Sequence, residues 1–270
     1  MSRRWTKILE NVPSAAWIGG KIADRRFKQW RKANPDRPFS QFYVDDVVAK
    51  TARGSGHPTL GAKGFAGPLK GEVSWDRANF AARAREIWEF YADVIGAKPG
   101  MRCVDYGCGS LRVGQHAMRA LDPGDYWGLD VSDDFITSGL DLVDPQVIED
   151  KRPRLSVISD STVAEVRNWQ PHAIFSNAVL QHVPEPELLS FFRRIAAMMG
   201  PGTIAAINFV DRPKVSRVKA MSWAYPDELL IAKAIEADPG LIAECSVISA
   251  AHAKAFPDRR RLLVLRRPAD

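Results

Sequence analysis

A glycine-rich segment and a later acid are the residues whose types and spacing best suit ligand binding. Gly107 and Gly109 follow a short apolar run that ends at Tyr106. Glycine lets the backbone turn sharply and lets a ligand approach main-chain atoms. Asp130 follows Gly107 by 23 positions, and a carboxylate there is placed to accept hydrogen bonds from both hydroxyls of a ribose. Together these residues predict a site for an adenosine-containing ligand.

Charge near the glycines indicates which adenosine ligand the site prefers. Asp105 stands two positions before Gly107. A negative charge there repels a pyrophosphate but attracts a ligand that carries an ammonium and a sulfonium. The dinucleotide pattern G-x-G-x-x-G also requires glycine at position 112, where this chain has Arg112. These residues favour S-adenosylmethionine and disfavour a nicotinamide oxidoreductase.

Residues 104–109 (VDYGCG) resemble the first motif of the class I S-adenosylmethionine-dependent methyltransferases. Four further segments are similar to motifs of that family and occur in its order: residues 128–130, 159–160, 175–183 and 203–209. The likeness covers roughly residues 75–210, more faintly to the end, and leaves the first 70 residues outside it. One departure is Leu111, because the family often has a third glycine there.

The resemblance implies roles for individual residues in holding S-adenosylmethionine. Gly107 and Gly109 would lie against its methionine portion, and Asp130 would hold the ribose. Arg112 is open to two interpretations, a contact with a carboxylate or substrate anion and a surface arginine with no ligand. Asp105 would lie near the methionine portion, Val131 would pack on the adenine ring and Asp160 would face its exocyclic amine. The complete set of expected cofactor-binding residues is Asp105, Gly107, Cys108, Gly109, Arg112, Asp130, Val131, Ser159, Asp160, Asn177 and Ala178.

His182 is the candidate catalytic residue, since it follows the fourth predicted strand and its pKa suits removal of a proton from a hydroxyl acceptor. The alternative is that it caps or packs the start of the next helix. An amine acceptor would need no strong base.

No metal site is expected, because no pair among the three cysteines has the spacing of a zinc site.

The elements that must position these residues alternate between short apolar strands and helices. This alternation predicts an α/β fold with a parallel sheet covered by helices on both faces. The resemblance implies a Rossmann-like sheet of seven strands, mostly parallel, with the last strand antiparallel. The predicted strands are 102–106, 126–131, 155–159, 173–176, 203–210, 243–249 and 261–265.

The N-terminal part has a different composition. Residues 1–40 carry a net charge of +7, whereas the whole chain carries +6. The other 230 residues therefore sum to −1 and are close to neutral. We expect residues 1–72 to form a basic helical extension and a glycine-rich connector, a candidate lid bearing His57, and residues 73–270 to form the main domain. The neutral remainder argues against nucleic acid as a partner. The basic arm favours either weak peripheral contact with an anionic surface such as lipid headgroups or RNA, or an amphipathic helix packed on the domain.

The function expected from these features is transfer of a methyl group to an O or N atom of a small-molecule acceptor, such as a metabolite, a lipid head group or a sugar. Two alternatives stay open: a methyltransferase acting on RNA or protein, and a non-catalytic scaffold that binds S-adenosylmethionine. Residues 176–179 lack the aromatic-proline motif of base-modifying relatives, which argues against RNA.

Three cysteines and the interrupted apolar run 195–210 indicate a cytoplasmic protein without a membrane span. Oligomeric state is not predicted.

Overall fold

A computed structural model describes residues 15–52, 77–249, 252, 256 and 260–269. Seven strands form a central sheet: β1 (Cys103–Tyr106), β2 (Tyr126–Asp130), β3 (Arg154–Val157), β4 (Ala173–Ser176), β5 (Ile204–Val210), β8 (Ile242–Val247) and β9 (Arg260–Arg266). Their order across the sheet is β3-β2-β1-β4-β5-β9-β8. Strands β1 to β5 pair in parallel, and β9 runs antiparallel to both β5 and β8. The predicted Rossmann-like sheet, with its last strand antiparallel, is confirmed.

Helices cover both faces of this sheet, as the apolar strands require. The nine helices of the described residues are α1 (Ala15–Ala33), α2 (Phe39–Ala52), α3 (Arg77–Ile95), α4 (Gly114–Ala120), α5 (Asp133–Leu140), α6 (Pro145–Lys151), α7 (Asp160–Trp169), α8 (Leu188–Met198) and α9 (Asp227–Ala237). Buried side chains of α3, α4 and α6 pack on one face. Those of α7, α8 and α9 pack on the other. Helices α6 and α7 lie in segments where the sequence predicted no helix.

The strand order reverses between β1 and β4, which are direct neighbours in the sheet. In doubly wound α/β sheets, ligands bind beyond the carboxyl ends of the strands at such a reversal. The register places Asp105 level with Gly128 on β2 and Phe175 on β4. The segments that follow these three strands therefore meet at one edge of the sheet, which we call the carboxyl edge.

The N-terminal helices α1 and α2, together called the cap, pack onto the main domain. Helix α1 lies against a small antiparallel hairpin formed by β6 (Ser216–Lys219) and β7 (Ser222–Ala224). This hairpin occupies a segment that the sequence analysis did not resolve into strands. The connector between the cap and α3, including His57 and residues 53–72 of the candidate lid, falls outside the described residues.

Candidate cofactor and acceptor site

The turn after β1 has the backbone shape that its glycines predict. Gly107 and Gly109 have φ angles of +84° and +55°, in the left-handed region that glycine adopts without steric cost. A Cβ added to Gly107 would lie 2.2 Å from Cγ2 of Val179, so no larger residue fits there. Leu111, the departure from the family pattern, is also left-handed with φ +59°. A non-glycine residue pays about 1–2 kcal/mol for that conformation, and burial of the whole leucine side chain offsets it.

Asp130 ties the end of β2 to this turn. Its two carboxylate oxygens accept hydrogen bonds from the backbone N–H groups of Gly109 and Val131, both at 2.7 Å. Burial raises the pKa of Asp130 to about 6, although these N–H groups and that of Ser132 favour the charged form and lower the pKa. A carboxylate offers about four acceptor positions and these three N–H groups occupy three of them, so about one is left for a hydroxyl of a ligand.

Asp105 lies deeper, beneath the turn. It is buried, and the hydroxyl of Tyr126 donates to its Oδ2 at 2.8 Å. Burial, with a smaller contribution from the nearby Asp130 charge, raises the pKa of Asp105 to about 7, although the Tyr126 hydrogen bond lowers it. A Cβ added to Gly114 would lie 2.1 Å from the Tyr126 hydroxyl oxygen, so the start of α4 must be glycine for this pair to fit. The predicted contact of Asp105 with the cofactor's ammonium stays a prediction.

A second glycine contact fixes the turn from the other side. A Cβ added to Gly139 of α5 would lie 2.4 Å from the backbone carbonyl of Ser110. Helix α5 therefore packs directly against the main chain of the glycine turn. Sequence reasoning did not find this contact, because Gly139 sits in an ordinary helical pattern.

Among the other expected cofactor residues near this turn, Cys108 is buried, and burial raises the pKa of its thiol well above the usual range. A thiol that stays protonated is a poor nucleophile, and the Cys108 side chain packs in the core; its predicted cofactor contact stays a prediction. Arg112 is half-buried at the end of the turn, and Val131 is half-buried directly after β2. The structure thus brings the glycine turn, Asp130 and Val131 together at the carboxyl edge.

Ser159 and Asp160 follow β3 at the same edge and begin helix α7. The N–H of Ile158 donates to the Asp130 carbonyl at 2.8 Å, which holds this segment beside the end of β2. The Ser159 side chain accepts a hydrogen bond from the Thr162 N–H at 3.1 Å, so it serves as the N-cap of the helix. Asp160 is exposed in the first turn. Its predicted contact with the adenine amine stays a prediction.

The segment after β4 is held by an asparagine that sequence reasoning missed. Asn208 on β5 is fully buried. Its Oδ1 accepts a hydrogen bond from the Ala178 N–H at 2.6 Å, and its Nδ2 donates to Asn177 Oδ1 at 3.0 Å. Ala178 has φ +60°, and a left-handed non-glycine residue is often found at functional sites. The signal available in the sequence was one amide within the otherwise apolar β5.

His182 lies in a short 3₁₀ helix, residues Leu180–His182, that follows this segment. Its Nδ1 is 2.8 Å from the carbonyl oxygen of Met221, in the turn of the β6–β7 hairpin, and its Nε2 is 3.1 Å from the side-chain nitrogen of Gln181. The ring of Tyr43 from α2 packs beside it, with 4.7 Å between ring centroids. The β6–β7 hairpin and helix α2, together with the neighbouring Gln181, therefore orient this imidazole.

Helix α2 spans the carboxyl edge. At one end, Val44 and Val47 form a buried cluster with Phe135 of α5, and Val131 packs against it. At the other end, the Phe39 N–H donates to Oε1 of Glu187 at 2.7 Å. The cap thus contacts both the segment after β2 and the segment after β4. Sequence reasoning singled out none of these cap residues.

A family model described as a methyltransferase domain matches residues 77–234, more than half of the chain. The chain belongs to this methyltransferase family. It is a methyltransferase, and S-adenosylmethionine is its methyl donor, as the sequence resemblance implied. A search of curated proteins gave no match.

Solved structures show the same fold for this methyltransferase. The [4+2]-cyclase SpnF is 16% identical with a TM-score of 0.55, over 86% of this chain and 95% of that one. The glycopeptide N-methyltransferase MtfA complexed with sinefungin is 9% identical with a TM-score of 0.53, over 75% and 100%. Magnesium protoporphyrin IX methyltransferase from Synechocystis PCC 6803 is 12% identical with a TM-score of 0.51, over 73% and 90%. A cyclase shares the fold, so the fold alone does not determine the reaction.

Metal ligands and membrane spans are both missing from the part of the chain that the structure describes. Within these residues, no group of three or more His, Cys, Asp or Glu side chains lies close enough to hold a metal ion. In the same residues, no helix combines the length and the apolar character needed to cross a membrane.

Proposed function

We propose that this methyltransferase transfers a methyl group to an O or N atom of a small-molecule acceptor held at the carboxyl edge beneath the cap. We further propose that His182 takes the proton when the acceptor is a hydroxyl. The observation that carries the proposal is the 2.8 Å contact between His182 Nδ1 and the Met221 carbonyl oxygen.

That contact assigns the proton positions of a neutral His182. A backbone carbonyl oxygen only accepts hydrogen bonds, so Nδ1 must carry the hydrogen and Nε2 keeps its lone pair. In this arrangement, the Gln181 amide donates to Nε2. An acceptor hydroxyl that displaces the amide would meet an oriented base with a free lone pair.

The glycine turn and Asp130 suit the cofactor, because the buried carboxylate keeps an acceptor position for a ribose hydroxyl and the left-handed turn at Gly107 and Gly109 presents backbone without side chains. We propose that Gly107 and Gly109 lie against the methionine portion. S-adenosylmethionine would supply an electrophilic methyl group on a good leaving group. The chain itself then has to align the acceptor, exclude water and hold the proton that the acceptor loses.

The remaining expected contacts belong to the same proposal. We propose that Asp105 counters the positive charge of the cofactor from beneath the turn and that Val131 packs on the adenine ring. Both residues lie at the carboxyl edge beside Asp130. Arg112, Ser159, Asp160, Asn177 and Ala178 complete the proposed binding set.

Enclosure of the carboxyl edge favours a small acceptor over RNA or protein. Helix α2 covers this edge through Val47 near the proposed adenine site and through Tyr43 over His182. The Phe39–Glu187 hydrogen bond closes the cap onto the segment after β4. Such a cover suits a compact acceptor, whereas a polymer requires an open groove.

The test combines binding and turnover. Calorimetry with S-adenosylhomocysteine measures cofactor binding, and release of S-adenosylhomocysteine from S-adenosylmethionine measures transfer to a panel of small hydroxyl and amine acceptors. The proposal expects turnover with at least one of these acceptors. Binding with no turnover on small molecules, RNA or protein would favour the scaffold alternative, and turnover on RNA or protein alone would exclude a small acceptor.

A further inference from the structure

Helix α1 of the cap exposes a row of cations. Lys21, Arg25, Lys28 and Lys32 are all exposed and follow one another at steps of four, three and four residues. At 3.6 residues per turn and a rise of 1.5 Å, they fall within a sector of about 60° and extend over roughly 17 Å. We call these four residues the basic row.

Other side chains of α1 hold the helix on the protein. Phe27 and Trp30, on the side away from the basic row, pack against Phe42 of α2, with ring centroids 5.2 Å and 5.8 Å away. Asp24, half-exposed beside the row, forms an ion pair with Arg217 of β6, at 2.5 Å between oxygen and nitrogen. The aromatic rings therefore attach α1 to α2, and the basic row faces outward.

Two further exposed side chains lie near the basic row and enlarge the exposed surface around it. Ile22, next to Lys21, is a large apolar side chain that is 57% exposed. Lys219 is exposed at the end of β6, and its neighbour Ala220 lies within 3.4 Å of the position of a Cβ on Gly19. The outward surface of α1 thus combines several cations with one exposed apolar side chain.

We propose that the basic row docks this methyltransferase onto the surface of an anionic lipid bilayer. Cations near such a surface are attracted by its negative potential, and an amphipathic helix adds contact through exposed apolar side chains such as Ile22. Single-stranded RNA, the other polyanion, is recognised largely by stacking of bases on aromatic rings. Phe27 and Trp30 pack against Phe42 on another side of α1, so the basic row itself carries no aromatic ring, which favours the lipid surface.

The experiment is co-sedimentation of the full chain with vesicles. One set contains phosphatidylcholine alone, and the other contains about 30% phosphatidylglycerol, chosen to supply the anionic surface potential. We compare the wild type with a triple variant, Arg25→Gln, Lys28→Gln and Lys32→Gln. Each cation near an anionic surface changes partitioning about fivefold, so the triple variant should bind roughly 100-fold more weakly.

A matched control removes the same charge elsewhere. Lys98, Arg152 and Arg167 are exposed near the amino ends of β1, β3 and β4, at the edge of the sheet opposite the cap. The triple variant Lys98→Gln, Arg152→Gln and Arg167→Gln should bind anionic vesicles within a fewfold of the wild type. Thermal melting of both variants checks that they are folded.

Selective binding to anionic vesicles that weakens with salt, is lost in the α1 variant and persists in the control supports the proposal. It is overturned by equal binding to neutral vesicles, by no binding to anionic ones, by wild-type binding of the α1 variant, or by an equal loss in the control. Tighter binding to an RNA oligonucleotide than to anionic vesicles at the same salt concentration also overturns it. The measurement is independent of methyl transfer, so its outcome does not depend on the acceptor.

Discussion

Replacing Asp130 with asparagine tests the proposed ribose site most directly. The carboxylate now accepts hydrogen bonds from the Gly109 and Val131 N–H groups, both at 2.7 Å. An asparagine side chain cannot do this equally well, because its NH₂ group would direct a donor at one of these backbone donors. The substitution Asp130→Asn keeps the size of the side chain and removes its charge.

The expected magnitude follows from those contacts. Hydrogen bonds to a charged group contribute about 1.5–3 kcal/mol, so loss of one bond to a ribose hydroxyl should raise the Kd for S-adenosylhomocysteine roughly 10- to 150-fold. The unsatisfied N–H at Gly109 or Val131 should also cost about 1–3 kcal/mol of folding stability. Calorimetry near pH 8 is suitable, because Asp130, with a pKa of about 6, is then ionised in the wild type.

Two comparisons separate ribose binding from general damage to the site. Asp133→Asn is the matched control, since Asp133 is an exposed acid three positions further on in α5, and its Kd should stay near the wild-type value. A 2′-deoxyribose analogue of S-adenosylhomocysteine should lose less affinity on Asp130→Asn than the parent ligand does. A folded variant with wild-type Kd would refute our placement of the ribose.

Three further predictions concern proton transfer, pH and support of the site. His182→Ala should lower kcat by about 10²–10⁴-fold for a hydroxyl acceptor, with an unchanged Kd for S-adenosylhomocysteine by calorimetry; wild-type kcat would remove His182 from the mechanism. Burial raises the pKa of Asp105 from 3.8 to about 7. The folding stability that its protonation contributes is therefore fully present below about pH 4 and is lost as the pH rises through 7. Asp105→Asn, which keeps an acceptor for Tyr126, should therefore gain in melting temperature relative to the wild type between pH 5 and 8, and a pH-independent difference would contradict this. Asn208→Leu deprives the Ala178 N–H of its acceptor and should cost about 1–3 kcal/mol in denaturant unfolding; an unchanged midpoint would show that this bond is unimportant.

The sheet and the cofactor edge could be predicted because local pattern and chemistry coincide there. Strands such as β1 and β4 are short apolar runs bounded by turn residues, and the predicted strand 173–176 matches β4 in full. The glycine turn was recognisable because left-handed backbone requires glycine at positions such as Gly107. Asp130 was recognisable because its spacing from that turn is set by the length of one helix and one strand.

Other parts of the main domain depend on contacts that are distant in sequence. Asn208 accepts a hydrogen bond from the N–H of Ala178, 30 positions earlier in the chain. The residues around Asn208 in the sequence give no sign of this partner. The β6–β7 hairpin has a bulge between Arg217 and Lys219 and lacks the Asn-Gly turn that marks a hairpin in sequence. Helix α7 was not predicted, because Ser159 and Asp160 were interpreted only as ligand contacts. Ser159 is in fact the N-cap of this helix.

The cap shows most clearly why the candidate site could be predicted only in part. Helix α2 is apolar on several sides, because Val47 packs on α5 while Phe39 packs on Trp223 of β7, so it lacks the single apolar stripe of a surface helix. Its partners lie between 84 positions (Val47 to Val131) and 184 positions (Phe39 to Trp223) further along the chain. Yet one short helix contacts Val131 beside the proposed adenine site and, through Tyr43, the imidazole of His182. A rigid helix in contact with both places couples them physically, so movement of the cap would change cofactor enclosure and base orientation together.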